Sequence, residues 1–310
     1  MKAIGPVFSR LVFAGLILVS LCGWDFSRHG VPLNEIQSGG PPKDGIPALT
    51  HPEFVSADEA EAELLKPTDR VLGLFLDGIA KAYPIKILNW HEIVNDRIGD
   101  RPVVVTFCPL CGTGMVFDAI MDGAPGMFGV SGLLYRSDML MYDHRTESLW
   151  SQIRMEAVAG PMTGRKLKLI ASTHTTWARW RAAHPETRVL SMRTGFRRDY
   201  GRDPYADYQG SPDLMFEVGA RNGAYPAKEW VIGVEIGGVA KAYPFSTLSR
   251  IQSPVRDRVG PVEVEVSFDR TSRTAAVRDG KGNEIPTVTG FWFAWFAFHP
   301  DTKVFAEKSP

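Results

Sequence analysis

Short apolar or alternating runs, broken by glycine, proline and aspartate turns, mark this chain as strand-rich. The clearest run is RVLGLFLDGIAKAYP at residues 70–84: an apolar stretch, an Asp77-Gly78 turn, and a second stretch ending Ala-Lys-Ala-Tyr-Pro. These turn residues tolerate positive φ, so the segment predicts a β-hairpin. The pattern recurs as WVIGVEIGGVAKAYP at residues 230–244, with Gly237-Gly238 at the turn. After each hairpin the pattern predicts a short helix, over residues 85–94 and 245–251, and then an alternating strand, over 102–107 and 261–268. Both copies end alike, with Trp177 and Trp180 before His184-Pro185 in one, and Trp292 and Trp295 before His299-Pro300 in the other. Tryptophans three apart share a helix face and are read as core packing.

The copies differ by one long addition. Residues 119–172 of copy 1 have little counterpart in copy 2 and predict further strands near 128–133, 139–142, 149–153 and 166–170. The expected organisation is an irregular Pro/Gly-rich lead-in over 24–69, repeat 1 with the additional strands over 70–190, a joining segment over 191–229, and repeat 2 over 230–310. An acidic stretch at 57–65 predicts a short helix in the lead-in. The expected fold class is α+β and β-rich: two tandem related repeats of antiparallel sheet, barrel-like, carrying short helices.

The first residues follow another pattern. Lys2 and Arg10 precede an apolar run over residues 11–21, then Cys22-Gly23. At about 11 residues the run suits a signal-peptide core and falls short of the ~20 that span a bilayer. Residues 1–23 are therefore expected to be a signal peptide or N-terminal anchor, and the protein to be exported to the periplasm or another extracytoplasmic space. Leu21 departs from the small residue that lipidation of Cys22 favours, which makes a lipoprotein the lesser expectation. The 310 residues are 44% hydrophobic, enough for a real core. Lys plus Arg and Asp plus Glu both number 35, with no basic stripe, so nucleic acid is not an expected partner. Membrane contact is expected only through the N-terminal segment, if it is retained.

Of the three cysteines, Cys108 and Cys111 form a close pair, Cys-Pro-Leu-Cys, set only in copy 1. Outside the cytoplasm such a pair serves as a disulfide, a metal site or a redox couple. A thioredoxin-type cysteine sits at a helix N-terminus, where the dipole lowers its pKa, and Gly112 and Gly114 argue against a helix here. A Cys-Pro-x-Cys-Gly turn between strands resembles a metal-binding knuckle instead. The duplication supplies a control: what both copies keep serves the fold, and what one alone carries is free to serve function. Copy 2 has no cysteine at the matching place, near residues 267–271, and has Ile251 and Gln252 where copy 1 has His91 and Glu92. Candidate catalytic residues are therefore Cys108, Cys111, His91 and Glu92. As a metal site the pair needs further ligands, with His91 and His144 the first candidates and Glu92, Met115 and Met141 the others; such donors suit copper or zinc. Asn95 stands where a zincin motif would have its second histidine, which excludes that class. Arg136, Asp143 and Trp150 in the addition are candidate pocket residues, although the same alternation also describes the solvent face of a sheet. A plain disulfide closing so short a loop would contribute only ~2 kcal/mol.

NWHEIVND at residues 89–96, FCPLCGTG at 107–114, Ser148-Leu149-Trp150-Ser151-Gln152 and DPYADY at 203–208 resemble the domain of unknown function 3179 family. The resemblance runs from about residue 70 past 208. The family has no established activity; some members are described as selenoproteins, which implies redox chemistry at the motif. The leading expectation is thus an exported thiol-based redox protein, a thiol oxidoreductase, with Cys108 and Cys111 as the couple. His91 or Glu92 would transfer protons, and an unidentified small molecule or redox partner protein would be the counterpart. The second is a metal-binding protein using the same pair with histidine, and the third a non-catalytic binding or scaffold module. The pair is expected at the edge of a cleft that copy 2 lacks, with His91 near both sulfurs and His144 or Arg136 facing it.

Intact-mass measurement on protein from its native envelope is expected to show loss of a segment ending near residues 20–25. A mass that retains residues 1–21 would show an uncleaved anchor instead.

Overall fold

The computed structural model describes residues 23–306 apart from Leu64, and the expected N-terminal segment with Cys22 lies outside them. The lead-in supplies β1 (Ile36–Ser38), β2 (Phe54–Val55) and α1 (Ala57–Glu63). Copy 1 begins with β3 (Arg70–Leu76), β4 (Ile79–Pro84), α2 (Ile85–His91), β5 (Ile93–Ile98), β6 (Arg101–Cys108) and β7 (Thr113–Asp118). The addition forms β8 (Ile120–Met121), β9 (Ala124–Pro125), β10 (Phe128–Tyr135), β11 (Asp138–Asp143), β12 (Leu149–Ser151), β13 (Glu156–Ala159) and β14 (Leu169–Ile170). Copy 1 closes with β15 (Thr173–Thr176), α3 (Trp177–Ala183) and β16 (Arg188–Leu190), and the joining segment holds α4 (Ala206–Gly210). Copy 2 consists of β17 (Trp230–Ile236), β18 (Val239–Pro244), α5 (Phe245–Leu248), β19 (Val255–Val259), β20 (Val262–Asp269), β21 (Thr274–Asp279), β22 (Val288–Phe291), α6 (Trp292–Phe298) and β23 (Lys303–Val304). Among these helices none is long and apolar enough to cross a membrane.

The repeat read in the sequence is a repeat of strand pairing. Copy 1 orders its strands β15-β3-β4-β16, and copy 2 orders them β22-β17-β18-β23. Leu72 pairs with Tyr83 as Ile232 pairs with Tyr243, and the outer strand runs parallel in both, with Val189 beside Ala82 and Val304 beside Ala242. Each hairpin turns on two residues of positive φ, Asp77-Gly78 and Gly237-Gly238, the twist that matches paired strands. Polar contacts repeat too. Lys81 and Tyr83 both reach Asp96, at 2.8 and 2.7 Å, and Lys241 and Tyr243 both reach Asp257, at 2.5 and 2.9 Å. His184 lies against Trp180 with ring centroids 4.2 Å apart, and His299 stacks on Trp295 at 3.9 Å, so these histidines pack against the same tryptophan of each copy.

No sheet among the described residues closes into a barrel, contrary to the barrel-like expectation; the fold is strand-rich α+β with several small sheets and short helices. The reason is an exchange between copies. The meander β5-β6-β7 leaves its own hairpin and adds to the edge of copy 2, where Gly114 pairs with Thr289 and builds an eight-stranded sheet. The corresponding meander β19-β20-β21 lies against β15 of copy 1, with Thr274 and Thr175 hydroxyls 2.6 Å apart. Edges that would have curled onto themselves are covered by the other copy.

The addition, joined by β1 of the lead-in, forms a five-stranded sheet, β1-β10-β11-β12-β13, whose faces are both buried. Phe128, Val130, Met139, Met141 and Trp150 pack against Val104, Met115 and Phe117 of β6 and β7. Leu133, Tyr135, Leu140 and Tyr142 face the lead-in at Val31 and Phe26. Copy 2 has no added sheet, and the matching face of its meander borders a groove of about 620 Å³ between Ser267, Asp269 and Thr274 on one side and Thr173, Arg179 and His184 of copy 1 on the other.

The tryptophans predicted to be core are 3% and 2% exposed at Trp180 and Trp295. Each ring lies directly on a strand glycine: a Cβ at Gly73 would meet Trp180 Cε3 at 2.2 Å, and one at Gly233 would meet Trp295 Cε3 at 2.3 Å. Gly73→Ala and Gly233→Ala are each expected to lower stability by about 1–3 kcal/mol, the cost of overpacking. Urea denaturation of the two variants checks this, and a negligible change at either would show that the ring is free to move aside.

Candidate functional site

β6 ends at Cys108, and a Pro109-Leu110-Cys111-Gly112 turn leads into β7 at Thr113, which pairs with Cys108. The Cys111 amide donates to the Cys108 carbonyl at 3.2 Å, which brings the two side chains to the same side of the turn. Copy 2 makes the same turn: Asp269 pairs with Thr274, so Asp269 and Ser272 stand at the places of Cys108 and Cys111. The backbone is common property and the sulfurs belong to copy 1 alone.

The added sheet closes over this turn. β10 and β11 are joined by Arg136 and Ser137, both at positive φ (53° and 68°), a tight hairpin built without glycine. Such non-glycine residues cost of order 1 kcal/mol each and persist where their surroundings hold them. Here the Ser137 carbonyl accepts from Cys111 Sγ at 3.3 Å, with Cys108 Sγ 3.9 Å away, and the next residue is Asp138. One ligand atom each from Cys108, Cys111 and Asp138 lie within 4.8 Å of one another. Both thiols are free, and the three residues are 1%, 0% and 0% exposed. A backbone amide, that of Ile153, holds Asp138 Oδ2 at 3.0 Å, while Oδ1 and the neighbouring Ser137 Oγ are buried with no hydrogen-bond partner. Gln152 fixes the sheet to the strands beneath by donating to Thr106 Oγ1 at 2.8 Å and accepting from Thr113 Oγ1 at 2.7 Å.

The remaining wall comes from α2 and the joining segment. Asn89 Nδ2 donates to Asp203 Oδ1 at 3.0 Å, and the Trp90 indole donates to the Arg202 carbonyl at 3.2 Å. Tyr208 donates to the Leu110 carbonyl at 3.1 Å, with the Lys228 ammonium 3.4 Å from its ring centroid. Glu92 caps α2 at φ 56° and is buried beside Tyr205, and its carbonyl accepts the Phe107 amide at 2.7 Å. Burial pushes the Asp138 carboxyl up to about 7, against the pull of the Ile153 and Met139 amides. Burial, reinforced by the Asp138 charge, pushes Glu92 up to about 8. The Cys111 thiol is likewise raised by burial and by Cys108 beside it. Each proton is held because the charged form has lost its water.

The other residues singled out in the sequence are placed elsewhere. His91 is not drawn toward the sulfurs. Its Nδ1 donates to the Pro47 carbonyl at 2.8 Å and its Nε2 accepts from Tyr200 at 2.7 Å, so neither nitrogen is left for a metal. His144 is exposed and stacked on Tyr142. Arg136 ties the hairpin to Glu35 and to the Ala297 carbonyl, both at 2.8 Å. Asp143 staples its own loop through Thr146 and accepts the Trp150 indole at 2.9 Å. Met115 and Met141 belong to the same apolar cluster as the cysteines. The pair is sealed in this cluster and not set at the edge of an open cleft. Sequence reasoning missed Asp138 and Tyr205 as site residues. The expected strands at 128–133 and 139–142 flank the turn that carries Asp138, but nothing local said which other turn it would meet.

The model for a protein family of unknown function, DUF3179, matches residues 43–302, most of the chain and every residue of this cluster; the chain belongs to that family. No curated protein and no solved structure matches it.

Asp138 binds its proton more tightly folded than unfolded, so metal-free protein loses this contribution to stability as pH rises from about 4 through about 7, and keeps it below that window. Relative to Asp138→Asn, the metal-free wild type is therefore expected to weaken across that range in urea titrations with chelator present. A pH-independent difference between the two proteins would contradict the raised carboxyl.

Proposed function

We propose that this protein binds a transition-metal ion, zinc by preference, through Cys108, Cys111 and Asp138. The observation that carries the reading is a carboxylate oxygen buried without a partner beside two free thiols, all within 4.8 Å. Two thiolates and a carboxylate are donors that zinc accepts together. Copper(I) is satisfied by sulfur and has less use for the oxygen. Binding would release the protons that burial now holds on Cys111 and Asp138, so affinity rises with pH. A bound ion would also pin the added sheet to the turn it covers.

Thiol redox chemistry at the same pair has less support. Exchange needs a thiolate that can reach a partner's disulfide sulfur, and both sulfurs are buried while the Cys111 thiol is raised. We further propose export, on the basic and apolar start of the sequence. In that setting the ion keeps a close cysteine pair from oxidising to a disulfide.

Metal analysis of wild-type protein is expected to find one zinc per chain, and Cys108→Ser or Cys111→Ser to weaken zinc binding at least ~100-fold, beyond the effect of losing a supporting residue. Zinc at 100 times its Kd should stabilise the fold by about 2.7 kcal/mol. Protein isolated metal-free with a mass deficit of two protons would overturn the proposal in favour of a disulfide.

A further inference from the structure

We propose that the seam between the two copies is an acid-sensitive switch with His174 as its proton acceptor, and that protonation there loosens the cysteine turn and frees its ion; the second half rests on the metal-site reading. His174 lies on β15, 6% exposed, and both of its ring nitrogens are buried without a hydrogen-bond partner. Its ring lies among aromatic rings instead, with Phe107 of β6 at 6.2 Å and Trp230 of β17 at 5.4 Å between centroids. A neutral imidazole survives such a place with its hydrogen bonds unmade. An imidazolium, with a full charge and two donors, does not. The charges around it are cations. Arg70 of β3 donates to the His174 carbonyl at 2.8 Å and to the Ser272 carbonyl of copy 2 at 2.6 Å, and Arg273 follows in that turn. The carboxylates of the packed elements are engaged elsewhere, Asp269 by the Ser272 amide at 2.9 Å and Glu229 by the Ser246 amide at 2.8 Å. A proton on His174 thus meets cations and rings, and the charged side chain is driven toward water.

The side chain cannot leave without parting the copies. β15 belongs to the hairpin sheet of copy 1, β6 to the sheet shared with copy 2, and β17 opens copy 2. Behind Phe107 and Trp230 stands the cysteine turn. Phe107 precedes Cys108 in β6, and Trp230 covers Gly112 so closely that a Cβ there would meet its Cη2 at 3.0 Å. Trp230 also packs edge-on against Phe291 at 4.8 Å, whose amide holds the Cys111 carbonyl at 2.8 Å. Opening the seam therefore removes the rear support of the turn. The duplication assigns the device to copy 1. Leu72 and Arg70 pair with His174 and Thr176, whereas Ile232 and Trp230 pair with Thr289 and Phe291, so copy 2 has a threonine and a tryptophan at the places of His174 and Arg70.

Burial holds the folded His174 well below the ordinary histidine value of 6.5, so its contribution to stability is complete above that pH and is lost as pH falls below it. Urea denaturation of the metal-free full chain, from about pH 8 to about pH 5, tests the switch with no ion involved. Relative to His174→Phe, which fills the same gap between rings and cannot take a proton, the wild-type folding constant is expected to fall about tenfold per pH unit below 6.5. His174→Gln, polar but uncharged, should give the same flattened profile and stands in if the phenylalanine is not accommodated. A wild-type profile parallel to that of the variant would overturn the switch. Zinc release to a chromogenic chelator then reads the link to the turn. Wild type should release zinc about tenfold faster than either variant at about pH 5.5, and at an equal rate at pH 8. Equal rates at both pH values, with the metal-free difference intact, would overturn the link and leave the switch standing. A wild-type chain that binds no zinc at pH 8 would overturn the metal site and leave the metal-free comparison to decide the switch.

Discussion

Taking a carboxylate out of water costs several kcal/mol unless a cation or a full set of donors receives it. Asp138 is fully buried with one oxygen on the Ile153 amide and the other without a hydrogen-bond partner. The surrounding architecture serves to hold it there. The Arg136-Ser137 hairpin keeps two residues at positive φ, Gln152 locks the added sheet to β6 and β7, and Tyr208 and Asn89 bring the joining segment across the opening. None of these elements is repeated in copy 2, where an aspartate and a serine occupy the same turn and the face above it is open.

The duplication was legible because its signals are local. Two hairpins with the same turn chemistry and the same Tyr-Pro exit fold alike, down to the lysine and tyrosine that share one aspartate. The strands of the addition were legible for the same reason, with boundaries within a few residues: 128–133 became Phe128–Tyr135, and 139–142 became Asp138–Asp143. Barrel closure was misread because a pattern of alternation does not say whose edge a strand will join, and here the meanders join the opposite copy.

The site was half legible. The cysteines stood out by type and by their absence from copy 2. Asp138 did not, since an aspartate beside a turn is ordinary and its partner lies about 30 positions away along the chain. His91 was singled out with Glu92, and its ring is held at both nitrogens by Pro47 and Tyr200. The two are adjacent in sequence, and the positive-φ backbone at Glu92 ends α2 between them. Read by residue type, histidine outranks glutamate as a metal donor. Read by geometry, the histidine is fully employed.

The exchange of meanders between copies carries a consequence for how the molecule comes into being. Phe291 donates its amide to the Cys111 carbonyl at 2.8 Å, and Arg136 reaches the Ala297 carbonyl at 2.8 Å. The cysteine turn and the hairpin that covers it are thus both braced by β22 and α6 of copy 2. A nascent chain that has emerged only through copy 1 already holds every donor of the site yet lacks the frame that sets them. The pocket is completed only once β22 and α6 have followed and the second copy docks. A chain kept unfolded until it has crossed a membrane would accordingly acquire its ion on the far side, from whatever pool that compartment offers.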